Sequence, residues 1–217
     1  AMNKPFSAIK TDDIRVYLNR FNGNNGYKAN VLKTLKVVYR WFGMEYLVKT
    51  FAFPSQVTKI PKIPSREELA IFYQALPDLR MKAMFLIYAS SGLRREEVRQ
   101  LREGDIDLKT RQVTPSYVHE GSTKQSRFSF INEEALEVLK EYFKTRKTYP
   151  NQSRLFRIWT TDYNKAWKEA SEIVGVRITP KVLREWFCQR MGELGVADRF
   201  VDAFCGRTPK SVLARHY

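Results

Sequence analysis

Between Ala52 and Pro64 the chain reads AFPSQVTKIPKIP, with three prolines and no acidic residue. Each proline lacks a backbone donor and blocks a helix interior or a central strand. The stretch therefore reads as an extended linker, with an ordinary loop as the plainer alternative. It divides the 217 residues into a small part, 1–51, and a large part, 65–217.

Both parts are patterned for helices. Thr11 can cap a helix through Ile14, Tyr17, Leu18 and Phe21, with Asp12 and Asp13 in its first turn. Asn22-Gly-Asn-Asn-Gly26 is a turn, and Val31, Leu35, Val38, Tyr39 and Phe42 form an apolar stripe on a second helix. Beyond the linker, Ser65-Arg-Glu-Glu68 is a capping box opening a helix to about Leu76. A very apolar helix over about 79–90 ends at Gly92, and a short one covers about 94–101. Strand patterns follow at Ile106–Leu108, Gln112–Val118 and Arg127–Ile131, the last two joined as a hairpin by HEGSTKQS. Asn132 can cap a helix to about Arg146, and further helices are expected at about 161–174, 180–194, 197–204 and 209–216. Thr179-Pro180 and Thr208-Pro209 each put proline at a first helical position. The expected fold class is mainly α with a small antiparallel β-sheet (α+β).

Hydrophobic residues are 43% of the chain, enough for a core and too many for disorder. No apolar run approaches the 18 or so residues of a spanning helix, so no membrane partner is expected. Two cysteines, Cys188 and Cys205, and two histidines leave a zinc site or a disulfide scaffold without ligands, and the compartment reads as intracellular. The largest global signal is charge. Lys and Arg number 38 against 23 Asp and Glu, a net +15, which suits a polyanion such as nucleic acid. Lys59 and Lys62 in the linker would then form a basic strap along DNA.

The familiar phosphate-binding, zinc-protease and serine-hydrolase motifs are absent. Asp105 and Asp107, at strand spacing, read as turn caps rather than metal ligands. Neither a metal nor a cofactor is expected, so any catalysis would rest on cations and a hydroxyl. Arg94 opens a helix just after Gly92, well placed for a phosphate, with Glu97 one turn on to orient it. Lys124 stands at the tip of the expected hairpin, ahead of Arg127. Lys181 and Arg184 share the first turn of the helix opening at Thr179-Pro180, a repulsive pair unless an anion lies between them, the plainer alternative being that they diverge into solvent. Arg207 follows Gly206 at a helix end, and Tyr217 comes ten residues later.

In this order the residues resemble the tyrosine recombinase, or phage-type integrase, family. Ser91-Gly-Leu-Arg94 is similar to its TGLR-like segment, Lys124 to its hairpin lysine, and Lys181-Val-Leu-Arg184 to its His/Lys-x-x-Arg box. Phe204-Cys-Gly-Arg207 is similar to its Leu-Gly-His-like turn, and Tyr217 to its nucleophile. Lys181 and Arg207 stand where many members carry His, a combination that resembles integrases of archaeal spindle-shaped viruses and related mobile elements.

The resemblance implies a core-binding domain, here partial, over 1–51 and a catalytic domain over 65–217, read as truncated at the nucleophile. It implies cleavage of duplex DNA by Tyr217 through a 3′-phosphotyrosine, with no metal or nucleotide cofactor. Arg94, Arg184 and Arg207 would hold the phosphate. Lys124 would act as general acid, and Lys181 as base or as a further phosphate ligand. The implied partner is double-stranded DNA at an attachment site, bound by a homotetramer that is a monomer or weak oligomer when free, in the host cytoplasm or nucleoid. The alternatives are a relaxing enzyme of the type IB topoisomerase kind, a non-catalytic helical DNA-binding protein and an RNA-binding protein.

Overall fold

The computed structural model describes residues 4–21, 24–55, 62–117, 126–146 and 154–207. Chain contacts divide it into two compact units, Ala1–Ile60 and Pro61–Tyr217, and the boundary falls inside the proline-rich stretch.

In the smaller unit, α1 spans Thr11–Asn19 and α2 spans Asn25–Trp41. Thr11 is inside α1, and Lys10 occupies the cap position. The start is fixed instead by Asp13, whose carboxylate accepts the Lys10 N–H at 2.9 Å. Asn24 caps α2 by accepting the Tyr27 N–H at 2.8 Å. Ile14, Tyr39, Leu47 and Val48 make the buried core of this unit. The buried stripe of α2 runs through Ala29, Leu32 and Tyr39. Val38 and Phe42, expected on that stripe, lie outside it and are exposed; the Phe42 ring is covered on one side by Phe6, with centroids 4.8 Å apart.

The larger unit is built around α4, Leu79–Ser91, which buries side chains on every face, from Met81 through Tyr88 to Ser91. A helix apolar all round has to be surrounded. Here α6 (Glu133–Thr145), α8 (Pro180–Glu193) and α5 (Arg95–Arg99) pack on it, while α3 (Arg66–Ala75) packs on α7 (Thr160–Val174). An aromatic group ties α3, α4 and α7 together. Phe72 and Phe85 stack at 5.4 Å, and Tyr163 stacks on Trp167 at 4.5 Å. The expected caps form: Ser65 and Glu68 make the capping box of α3, Asn132 caps α6, and Thr179 with Pro180 opens α8.

The sheet is antiparallel in the order β1 (Ile106–Asp107), β2 (Gln112–Val113), β3 (Ser129–Phe130). Its strands are shorter than expected, and the tip of the hairpin, residues 118–125, lies outside the described residues. The sheet is anchored to the helices at both faces of β3. Buried Ser129 donates its hydroxyl to the Ser91 carbonyl at 2.6 Å, while Phe128 and Phe130 each pack on Phe204 of α9 (Asp198–Phe204). Asp105 and Asp107 do cap turns: Asp105 accepts the Arg102 N–H, and Asp107 accepts Lys109 N–H at 2.8 Å. They do not share a strand face, because Asp105 is the buried last residue of a 3-10 turn and Asp107 is exposed. Among the described residues no helix is long and apolar enough to cross a membrane, and no cluster of metal-ligating side chains occurs.

Gly92 ends α4 with φ +64°, and a Cβ built there would lie 2.4 Å from the Phe187 ring of α8. Both facts demand glycine: the left-handed backbone and the close helix approach. Gly92→Ala should lower unfolding stability by about 1–3 kcal/mol through strain and displacement of the ring. A denaturant midpoint equal to that of the parent chain would contradict this packing.

Candidate active site

The turn from α4 into α5 and the turn after α9 are more than a hundred residues apart in sequence, and arginines join them. Arg94 sits at the N-cap of α5. Its backbone N–H and its Nη1 both donate to Glu97, at 2.7 and 2.8 Å, and its Nη2 reaches across to the Gly206 carbonyl at 2.8 Å. Arg184, one turn into α8, donates Nη1 to the Gly92 carbonyl at 2.7 Å and Nη2 to the Cys205 carbonyl. Adjacent carbonyls, Cys205 and Gly206, thus each hold one guanidinium. Gly206 takes φ +56°, the turn conformation that glycine adopts without strain.

Arg207 completes the group. Its Nη2 donates to the Cys188 sulfur at 3.4 Å and its Nη1 lies 3.5 Å from Asp202. Burial lowers the proton affinity of Arg184, and the positive fields of Arg94 and Arg207 add to that effect. Burial also opposes the charge of Arg207, but Cys188, Cys205 and Asp202 outweigh it and the net shift is upward. Three guanidiniums so close repel one another. Guanidiniums grouped in this way can offer several charge-assisted hydrogen bonds to one anion at once.

Glu97 is the counter-charge that holds the cluster's first member. It is 5% exposed and takes four donors: two from Arg94, the Ser126 N–H at 3.2 Å and the Ser126 hydroxyl at 3.2 Å. Ser126 therefore fastens the end of the hairpin loop to the arginine site. Sequence reasoning found Glu97 as the orienting group but passed over Ser126, whose only signal was its place two residues beyond Lys124. It also passed over the two cysteines as a pair; they are separated in sequence and meet only because α9 folds back on α8.

Of the six candidate residues, the structure brings Arg94, Arg184 and Arg207 together. Lys181 is not drawn into this contact network. Its side chain is 85% exposed and its ammonium faces Glu185, one turn along α8, at 3.7 Å. It therefore does not turn inward with Arg184 as the shared-face reading expects. The reason is local: a lysine in the first turn of α8 finds a carboxylate four residues on, while Arg184 meets two buried carbonyls. Lys124 and Tyr217 lie outside the described residues.

Glu97→Ala should leave Arg94 without its buried partner and Ser126 without an acceptor. The expected loss is about 2–4 kcal/mol of unfolding stability. Glu97→Gln, which keeps an acceptor for Ser126, should lose less. Equal midpoints for the parent and the alanine variant would show that the buried carboxylate does not hold this site.

A model of the phage integrase family matches residues 63–217. The chain is 26% identical to the tyrosine recombinase XerA of Thermococcus onnurineus, over 82% of this chain and 65% of that protein. It is 25% identical to the XerA of Pyrococcus horikoshii, over 81% of this chain and 63% of the relative. The chain thus spans less than two thirds of either relative. In fold it is similar to XerA recombinase (TM-score 0.60, 23% identity, 100% of this chain and 81% of that one). It is also similar to a lambda integrase dimer bound to a core site (TM-score 0.74, 16% identity, 99% of this chain and 67% of that one). The family model spans the whole arginine cluster and both turns that build it, and the chain belongs to the phage integrase family of tyrosine recombinases.

Proposed function

We propose that this chain acts in site-specific DNA recombination inside the cell, cutting and rejoining duplex DNA through a phosphotyrosine. The observation that carries the reading is the convergence of Arg94, Arg184 and Arg207 on two adjacent turns. A phosphodiester under attack gains charge on its non-bridging oxygens, and fixed guanidinium donors stabilise that charge most where water is excluded. The net charge of +15 favours a polyanionic partner in the same way. Relatives of similar fold include integrases solved with DNA, which supports duplex DNA as the partner. The helical unit over 1–51 would grip the duplex, and a tetramer on DNA would bring two duplexes together.

In this mechanism the Tyr217 hydroxyl attacks the scissile phosphorus and the 5′-oxygen leaves, so one P–O bond forms as another breaks. The phenol passes its proton to solvent, or to Lys181 if that residue is the base, as it attacks, and Lys124 supplies one to the leaving oxygen as general acid. Arg94 and Arg184 bind the non-bridging oxygens, and Arg207 adds a further donor. Lys181, 3.7 Å from Glu185, would serve as base or as a further phosphate ligand. The bond energy is kept in the phosphotyrosine, so a 5′-hydroxyl can reverse the step without a nucleotide. The narrower likeness to integrases of archaeal spindle-shaped viruses rests on Lys181, Arg207 and the sequence GRTPKSVLARHY over 206–217.

A nicked suicide duplex tests the reading. The parent chain should form a covalent adduct, in excess chelator as well as without it, and Tyr217→Phe should bind the duplex and form none. An undiminished adduct from the phenylalanine variant would remove Tyr217 from the mechanism, and full dependence on an added metal would remove the mechanism itself.

Lys124→Ala should slow cleavage by about 10²–10⁴-fold. That defect should largely vanish on a substrate with a 5′-bridging sulfur, whose leaving group needs no acid. A defect of the same size on both substrates would mean that Lys124 is not the acid.

A further inference from the structure

Cys188 of α8 and Cys205 at the end of α9 face each other with their sulfurs 3.6 Å apart. We propose that they are a thiol–disulfide exchange pair, which takes a low-molecular-weight disulfide as oxidant and, on closing, withdraws from Arg207 the sulfur it holds. The sulfurs need to approach to about 2.05 Å to bond. Cys188 is part-exposed and Cys205 is fully buried, so an incoming disulfide meets Cys188 first. The geometry also prepares Cys188 to attack. Its contact with Cys205 and the nearby Arg207 and Arg184 together outweigh burial and pull its thiol down to about 6. Cys205 is pushed the other way, by its bond to Cys188 and by burial. The reachable sulfur is therefore the one favoured as thiolate.

The exchange balances in two steps. The Cys188 thiolate attacks one sulfur of the small disulfide, forming a mixed disulfide and releasing one thiolate. The Cys205 thiol then gives its proton to solvent and attacks the Cys188 sulfur, releasing the second thiolate. The protein loses two electrons and two protons, and the small disulfide, once its thiolates are protonated, becomes two thiols.

Closing the bond has a defined effect on the neighbouring cation. In the reduced chain the Cys188 sulfur accepts from Arg207 at 3.4 Å and competes with any phosphate for that guanidinium. In the disulfide that sulfur is neutral and turned toward Cys205, so among its partners in the described residues Arg207 keeps Asp202 and gains freedom to bind an anion. This consequence rests on the assignment of Arg207 to DNA phosphate made above, whereas the exchange itself does not.

Treating the full chain with oxidised glutathione should yield a species lighter by two hydrogens, with the peptides of Cys188 and Cys205 joined. Cys205→Ser should stop at a glutathione adduct on Cys188, and Cys188→Ser should take up none. Should the serine variants fail to fold, differential alkylation of the parent chain gives the same reading: loss of both thiols together marks the closed pair, and loss of neither overturns the proposal. Binding to duplex DNA, followed by fluorescence anisotropy, should tighten by about three- to tenfold on oxidation and return with reductant. A disulfide that forms without altering affinity would refute the link to Arg207. Absence of DNA binding in both states would instead overturn the functional reading and leave the exchange chemistry standing.

Discussion

Two arginine side chains reaching for two neighbouring carbonyls hold the site together. Arg94 takes Gly206 and Arg184 takes Cys205, while Arg184 also takes Gly92 at the end of α4. A guanidinium is planar, with five donors in a fixed fork, so it can brace two backbone segments and still present donors elsewhere. Lysine could not do this. The bracing explains why the turn after α9 lies against the α4–α5 turn, although β3 and α8 contribute its packing surfaces. It also orders the cluster electrostatically, because Glu97 neutralises the cation nearest the hairpin and Asp202 the one farthest along the chain.

Much of this was legible in the sequence because it depends on local rules. The capping box at Ser65–Glu68, the proline at the start of α8, the glycine at the end of α4 and the all-round apolar pattern of α4 each act within a few residues. Arg94, Arg184 and Arg207 were legible as a set for another reason: each is a weak signal alone, and only their ordered resemblance to the integrase family joined them. The small unit was less transparent. Of the expected stripe on α2, Leu35 and Tyr39 do pack in the core, whereas Val38 and Phe42 are exposed and the unread Ala29 and Leu32 are buried.

What could not be read was long-range and depended on side-chain direction. Lys181 and Arg184 are three residues apart, and spacing alone puts them on one face. Burial of Arg184 against backbone carbonyls and the attraction of Glu185 for Lys181 separate them. Likewise Asp105 and Asp107 alternate as a strand pair should, until Asp105 is absorbed into a 3-10 turn. The meeting of Cys188 with Cys205 has no local signature, since it follows from how α9 returns to α8.

The all-round burial of α4 has a kinetic corollary. Backbone amides exchange with solvent through openings whose free energy ranges from almost nothing at loosely held segments to the full unfolding value in the core. The amides of α4, enclosed by three helices, belong to the slowest class. Those of α9, seven residues long with only Val201 buried within it, belong to a faster one. The arginine cluster straddles that divide, with Arg94 and the Gly92 carbonyl at the end of the slow helix and Arg207 just beyond the fast one. The site can therefore come apart on one side by a local opening while the body of the domain stays folded, and a bound anion bridging the divide would slow exchange in α9 and leave α4 as it was.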